Sequence, residues 1–133
     1  MMGVTFDTNV LLSATLWDGS VAQKLLFELL KQNVTIYSTR AIVQEYQAIL
    51  KRNFNFSEED IVEGTDKILA FLQVVSPETK VDIVKEDPSD NRIIECALVS
   101  HSTYIITYDK HLLKFGEVRG IRIIRPEEAR AIF

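Results

Sequence analysis

Long apolar runs are missing from this sequence of 133 residues. None approaches the roughly 20 residues that span a bilayer, so no membrane segment is expected. Cysteine is nearly missing too. Cys96 stands alone, which excludes an intrachain disulfide and makes a reducing, cytoplasmic location the expectation. It lies between Ile94 and Ala97 in a helical pattern and reads as a small buried hydrophobe. Histidine occurs only as His101 and His111, without the partners a Cys/His zinc site needs. There is no excess of positive charge: 15 Lys and Arg stand against 19 Asp and Glu, for a net charge of −4. That balance argues against gripping nucleic acid through a broad basic surface. It leaves room for an enzyme acting on nucleic acid whose acids are offset by metal. The prolines, Pro77, Pro88 and Pro126, are scattered punctuation, and no repeat, low-complexity tract or linker is seen. Asp7 and Asn9 interrupt the first segment, so it does not read as a secretory leader.

What is present is a core. Hydrophobic residues make up 47% of the chain and the mean hydropathy is +0.05. The length fits one globular domain, residues 1–133, and would fit two poorly.

Residues 3–7 read as a strand, followed by a short apolar segment over 10–16, read as a helical turn, that "WDGS" breaks. Ser20 with Gln23 has capping-box spacing, ahead of Val21, Leu25, Leu26, Leu29 and Leu30 at helical intervals. A second strand covers 34–38. Thr39 can cap a helix with Ile42, Val43, Tyr46, Ile49 and Leu50 on its apolar face, up to a break at "NFNFS". Ser57 and Asp60 signal another helix start. Residues 72–76 read as a short strand and 79–84 as an extended connection. "EDPSD" opens a helix carrying Ile93, Ile94, Ala97 and Leu98. A strand over 103–107, a helical turn over 111–113, a strand over 120–125 and a helix starting at Pro126 complete the chain. Strands alternating with helices predict an α/β fold, a mostly parallel sheet with helices on both sides. In such folds ligands bind outside the carboxyl ends of the strands.

The acids at those ends then matter. Asp7 follows the first strand inside "GVTFDTNVLL", and Asp109 follows "TYIIT" after one residue. Asp90 lies in the first turn of a helix. Glu45 lies in the second turn of its helix, at the edge of the apolar face beside Ile42 and Ile49. Each has a plain alternative. Asp7 suits a helix N-cap. Asp87, Pro88 and Asp90 suit N-cap, N1 and N3. Asp109 suits a turn or a helix cap, and Glu45 suits an edge-of-face position paired with a lysine or arginine. Taken together, four carboxylates at one rim repel one another unless protonated or bridged by cations. Oxygen ligands of this kind suit a hard divalent cation such as Mg²⁺ or Mn²⁺. An all-carboxylate site without a serine or cysteine nucleophile pattern points to phosphodiester chemistry with metal-activated water. With those four charges offset, the rest of the chain is close to neutral and need not repel a phosphate backbone.

"FDTN", the helix carrying "QEY", "DPSDNRIIECAL" and "YIITYDKHLL", in that order, together resemble the PIN domain family. The similarity runs from residue 4 to about residue 126 and is greatest to the branch of toxin components of toxin–antitoxin systems related to VapC. The resemblance implies a three-layer α/β/α sandwich and an endoribonuclease dependent on Mg²⁺ or Mn²⁺. It also implies an RNA substrate, an antitoxin partner and a homodimer. By resemblance, Asp7, Asp90 and Asp109 would hold a first metal ion, and Glu45 would help hold a second or orient water. Thr8 and Asn9 would support Asp7, with Asp87 and Asn91 auxiliary. Arg92, Lys110 and His111 are near enough in the chain to touch phosphate, although each also suits solvated surface. Tyr108 departs from the family, which often has glycine before the last aspartate; a tyrosine there would narrow the cleft or stack on a base. Two other readings compete. One is a PIN-like binding module without catalysis. The other is a phospho-receiver domain, disfavoured because the strand at 34–38 ends in Ser38, Thr39 and Arg40 without an aspartate.

Overall fold

The computed structural model describes residues 2–133. Its centre is β1 (Gly3–Phe6), buried at every position. The chain continues through α1 (Thr8–Leu16) and α2 (Val21–Lys31) to β2 (Thr35–Thr39). Next come α3 (Arg40–Phe54), α4 (Glu58–Leu69) and β3 (Leu72–Val75). A 3-10 turn at Pro88–Asp90 leads into α5 (Asn91–Ser100) and β4 (Tyr104–Ile106). The chain then forms α6 (Lys110–Leu113), β5 (Glu117–Val118), β6 (Ile121–Ile124) and α7 (Pro126–Ile132).

The strands form one sheet in the order β3-β2-β1-β4-β6-β5. All neighbours are parallel except β5 and β6. Helices flank the sheet: α5 packs across β1, β2, β3 and β4, while α1, α2, α3 and α7 pack among themselves. Val4, Phe6, Ile36, Ile105 and Ile106 are completely buried between these layers, as a parallel sheet covered on both faces requires. Gly3 is needed for packing. A Cβ there would lie 2.3 Å from the Tyr37 ring on β2. No helix among the described residues is long and apolar enough to cross a membrane.

The topology fixes where a cleft opens. From β1 the chain steps outward to β2 and β3, then returns to β4 on the other side of β1. The crossovers beside β1 therefore leave in opposite directions, and a crevice forms at the carboxyl ends of β1 and β4.

Several sequence expectations shift in detail. The segment over 10–16 is a full helix that starts at Thr8, because Asp7 caps it directly. Ser20 caps α2 through the Gln23 N–H, but the Gln23 side chain accepts from Gly19 N–H, not from Ser20. "NFNFS" breaks later than expected. The helix α3 runs through Phe54, and Asn55 ends it in the left-handed region at φ 55°, which asparagine tolerates well. The antiparallel β5 was not foreseen. It joins β6 through Arg119 and Gly120, both at positive φ, as a tight hairpin turn of the primed type requires. Asp87 and Asp90 make no side-chain cap at the start of α5, so helix capping does not explain either acid.

Candidate metal centre

Asp7 caps a helix and at the same time stands in the crevice. Its Oδ1 accepts the Thr8 N–H at 2.7 Å and so caps α1. Its Oδ2 accepts the Thr107 hydroxyl at 2.5 Å, in the crevice beyond β1 and β4. Asp109 lies two residues past Thr107 and donates its backbone N–H to the Thr107 Oγ1 at 2.9 Å. The Asp109 Oδ1 in turn accepts the His111 N–H and caps α6. Asp90 reaches the same place from the 3-10 turn ahead of α5. One oxygen from each of Asp7, Asp90 and Asp109 lies within 4.8 Å of the other two.

Two of these three carboxyls are out of water: Asp7 is 4% exposed and Asp90 5%. Burial raises the Asp7 pKa to about 6, against the opposing hydrogen bonds from Thr107 and Thr8; the Asp109 and Glu45 charges raise it further. Asp90 is held well above the usual carboxylate range. Burial is the main cause, followed by a hydrogen bond to Asp109 that only a protonated carboxyl can make, and by the charges of Asp7, Asp109 and Asp87. The Asp90 Oδ2 is buried and has no hydrogen-bond partner. Two negative charges 4.8 Å apart repel by about 3 kcal/mol at an effective dielectric constant near 20.

A divalent cation fits this donor set. Ligand oxygens on opposite sides of Mg²⁺, each at about 2.1 Å, are about 4.2 Å apart, so three oxygens within 4.8 Å of one another need draw together by only a few tenths of an ångström to share one ion. The unpartnered Oδ2 of Asp90 supplies a free ligand atom, and a cation offsets the mutual repulsion of carboxylates gathered this closely.

The other expected residues divide into two groups. Glu45 is half-buried on α3 and tied to the start of α1, because the Thr8 hydroxyl donates to its Oε2 at 2.9 Å. It is not among the three convergent acids. Asn9 is exposed at the start of α1, and Lys110 is exposed at the start of α6. Asp87 accepts the Ser89 hydroxyl and adds its charge to the field on Asp90. His111 faces Glu86 at 3.3 Å, and Lys114 pairs with the same glutamate. Those contacts hold α6 to the segment that leads into Asp90, and nothing in the sequence spacing pointed to them. Arg92 donates to Glu95 at 2.8 Å and to the Val81 carbonyl, so its guanidinium is engaged on α5.

Asn91 is buried, and all its side-chain bonding capacity goes to one loop. Its Oδ1 accepts from Ile83 N–H and Val84 N–H, both at 2.8 Å; its Nδ2 donates to Val84 O and Pro88 O, both at 3.0 Å. One turn later the buried Glu95 accepts the Val81 N–H. Together Asn91 and Glu95 bind the irregular segment 81–88 along α5 and so fix the backbone that presents Asp90. Thr107 and Glu95 were not anticipated. The spacing of Thr107 two residues before Asp109, at a strand end, is the only hint the sequence held.

A family model described as "PIN domain" matches residues 3–111. No curated protein matches the chain. Among solved structures, VapBC2 from Rickettsia felis bound to a DNA fragment from its promoter is similar with a TM-score of 0.69. It has 18% identity over 93% of this chain and 98% of that one. VapBC-1 from nontypeable Haemophilus influenzae gives a TM-score of 0.66 and 15% identity, over 95% of this chain and 99% of that one. A protein from Pyrobaculum aerophilum gives 0.64 and 14%, over 98% and 94%. At such identities the likeness is one of fold.

Proposed function

This chain belongs to the PIN domain family, and from that premise we propose that it is an endoribonuclease dependent on Mg²⁺ or Mn²⁺. The observation that carries the reading is the convergence of Asp7, Asp90 and Asp109 from three separate elements, two of them buried and none in an ion pair with a basic side chain among the described residues. Buried acids so arranged cost stability unless a cation meets them.

In this reading Asp7, Asp90 and Asp109 hold the cation, and Glu45, tethered by Thr8, orients water or helps hold a second ion. Once bound, a divalent cation lowers the pKa of water toward neutrality and offsets charge that develops on phosphoryl oxygens. The protein's own residues do the rest. Thr107 and the Thr8 N–H fix both oxygens of Asp7. The Asn91 clasp fixes the turn that presents Asp90. Asn9, exposed at the start of α1, would support Asp7, and Asp87 adds its charge to the field on Asp90; Lys110 is the exposed cation nearest in the chain to Asp109 for contact with an RNA phosphate, and Arg92 and His111 lend weaker help because both have protein partners.

The fold likeness to VapBC structures supports a toxin role for this chain with an antitoxin protein as partner; a homodimer acting in the cytoplasm completes the proposal. The test is cleavage of a mixed panel of single-stranded and structured RNAs in Mn²⁺, Mg²⁺ or EDTA, beside a folded Asp7→Asn protein. Cutting that needs metal and vanishes in Asp7→Asn supports the reading. Cutting that survives the substitution, or the absence of both cutting and Mn²⁺ binding by calorimetry, overturns it in favour of a binding module.

A further inference from the structure

Asp90 and Asp109 sit on elements that no ladder of backbone hydrogen bonds joins. Asp109 caps α6, a helix of four residues, too short to hold its own direction. Leu112, fully buried, anchors that helix in the core. Asp90 ends a turn fed by residues 76–87, which form neither helix nor strand. That segment is tied down at three points. Glu95 holds the Val81 N–H, and Asn91 holds those of Ile83 and Val84, both from α5. The third tie runs to α6 instead. The Glu86 carboxylate accepts from the Lys114 ammonium through both oxygens and stands 3.3 Å from His111 Nδ1. These contacts close a ring around the two acids. Asp109 Oδ1 accepts the His111 N–H at 2.7 Å, and the His111 ring meets Glu86. From Glu86 the chain runs directly into the turn, where the Asp90 N–H bonds the Asp87 carbonyl at 3.0 Å. Asp90 and Asp109 then meet in the cluster. Thr107 plays the matching part between Asp7 and Asp109. Carboxylates gathered so closely repel. The repulsion pushes the Asp90 turn and α6 apart, and the Glu86 contacts act against it.

We propose that Glu86, with Lys114 and His111, is a latch that sets the separation of Asp90 and Asp109 and so the affinity of the site for a divalent cation. The three are positioning residues: they act through Asp90 and Asp109, not on the ion. This inference rests on the reading of Asp7, Asp90 and Asp109 as a metal centre, and it names residues outside that centre that control its loading. A half-exposed ion pair contributes little to folding. Here its effect falls on ligand geometry, because each end of the pair lies close in the chain to a carboxylate of the cluster.

Calorimetry of Mn²⁺ binding to the full chain tests the latch. The proteins compared are the parent, Glu86→Gln, Lys114→Gln, and the exchanged pair Glu86→Lys with Lys114→Glu, each shown by melting to be folded. The two single variants change the charge near the site in opposite directions. If only the field mattered, Glu86→Gln would weaken Mn²⁺ binding and Lys114→Gln would strengthen it. A latch weakens it in both, by about 2- to 5-fold, the upper range of what an exposed ion pair supplies. The exchanged pair should recover most of the loss. The gap between the parent and either single variant should close in about 1 M KCl, where charges are screened within about 3 Å. A Lys114→Gln affinity equal to the parent's or above it overturns the latch and leaves the metal centre standing. An exchanged pair no better than Glu86→Gln does the same. The expected pattern in a parent that cuts no RNA keeps the latch and sinks the nuclease reading alone. A parent that binds no Mn²⁺ sinks the metal centre and the latch with it.

Discussion

Thr107 donates its hydroxyl proton to Asp7 at 2.5 Å and accepts the Asp109 N–H at 2.9 Å on the same oxygen. One fully buried hydroxyl thus joins the carboxylate after β1 to the backbone after β4. The two strands are neighbours, and this bond fixes how far apart their acids stand.

Replacing Thr107 by valine keeps the shape and removes that link. The Asp109 N–H then loses its acceptor and Asp7 a donor, at a cost of about 1–3 kcal/mol for buried groups left unpaired. Mn²⁺ affinity and cleavage should fall about 10- to 100-fold, the usual effect of deleting a residue that orients a ligand. Thr107→Ser retains the hydroxyl and should restore most of both. Calorimetry of Mn²⁺ binding with all three proteins decides the point: a serine variant as weak as the valine one would show that the hydroxyl is not the operative group.

Asn91→Ala tests the clasp on the 81–88 segment. Four hydrogen bonds to the loop backbone are lost at once, two from Oδ1 and two from Nδ2. Part of that backbone is open to water, so the expected loss is about 2–4 kcal/mol, less than four separate buried defects would cost. At this chain length each kcal/mol moves the melting temperature by about 3–4 °C. Hydrogen exchange should speed up first at Ile83 and Val84. Unchanged protection at these two amides would show that the loop is held by something other than Asn91.

Much of this site could be read from the chain, and particular physics explains what could not. Asp7, Asp90 and Asp109 were visible because each follows a strand or opens a helix, and topology brings such positions to one rim. Thr107 was not, because a threonine ending a β-branched run reads as an ordinary strand residue. The clasp stayed hidden for another reason. Segment 79–84 has no periodicity of its own, and its backbone bonds go to side chains of α5, which local pattern does not encode. The two-residue β5 is too short to carry an alternation signal. The start of α1 was misplaced by two residues because Asp7, weighed as either cap or ligand, is placed to serve as both.

Raised carboxyl pKa values make the stability of the metal-free protein depend on pH in a defined direction. Asp7 moves from an ordinary value of 3.8 to about 6 on folding, and Asp90 moves up as well. Between those limits the native state binds more protons than the unfolded one, so stability falls as pH rises through about 4 to 6 and further for Asp90. Asp7 alone accounts for about 3 kcal/mol across its window at full burial. Mn²⁺ binding needs the ionised carboxylates and displaces those protons. Saturating Mn²⁺ should therefore raise the melting temperature more at pH 8 than at pH 5. Equal gains at the two pH values would mean that these acids do not bind the ion.

Asp90→Asn separates what the site costs from what it does. In the metal-free protein at pH 8, Asp90 is buried, lacks a partner for Oδ2, and stands among the charges of Asp7, Asp109 and Asp87. Asparagine has nearly the same shape and no charge, and its amide can donate to Asp109 as the protonated acid does. The variant should be more stable than the parent in EDTA at pH 8 by about 1–2 kcal/mol, because a like-charge repulsion is removed. At pH 5 the gain should shrink, since the parent then carries the proton itself. Cleavage should drop at least about 100-fold at both pH values, because a neutral amide is a far poorer ligand for a hard cation. A gain in stability together with a loss of activity is the mark of a residue kept for chemistry at the expense of folding. If Asp90→Asn is instead less stable than the parent at pH 8 in EDTA, then Asp90 carries no such strain, and its burial beside Asp109 is ordinary packing.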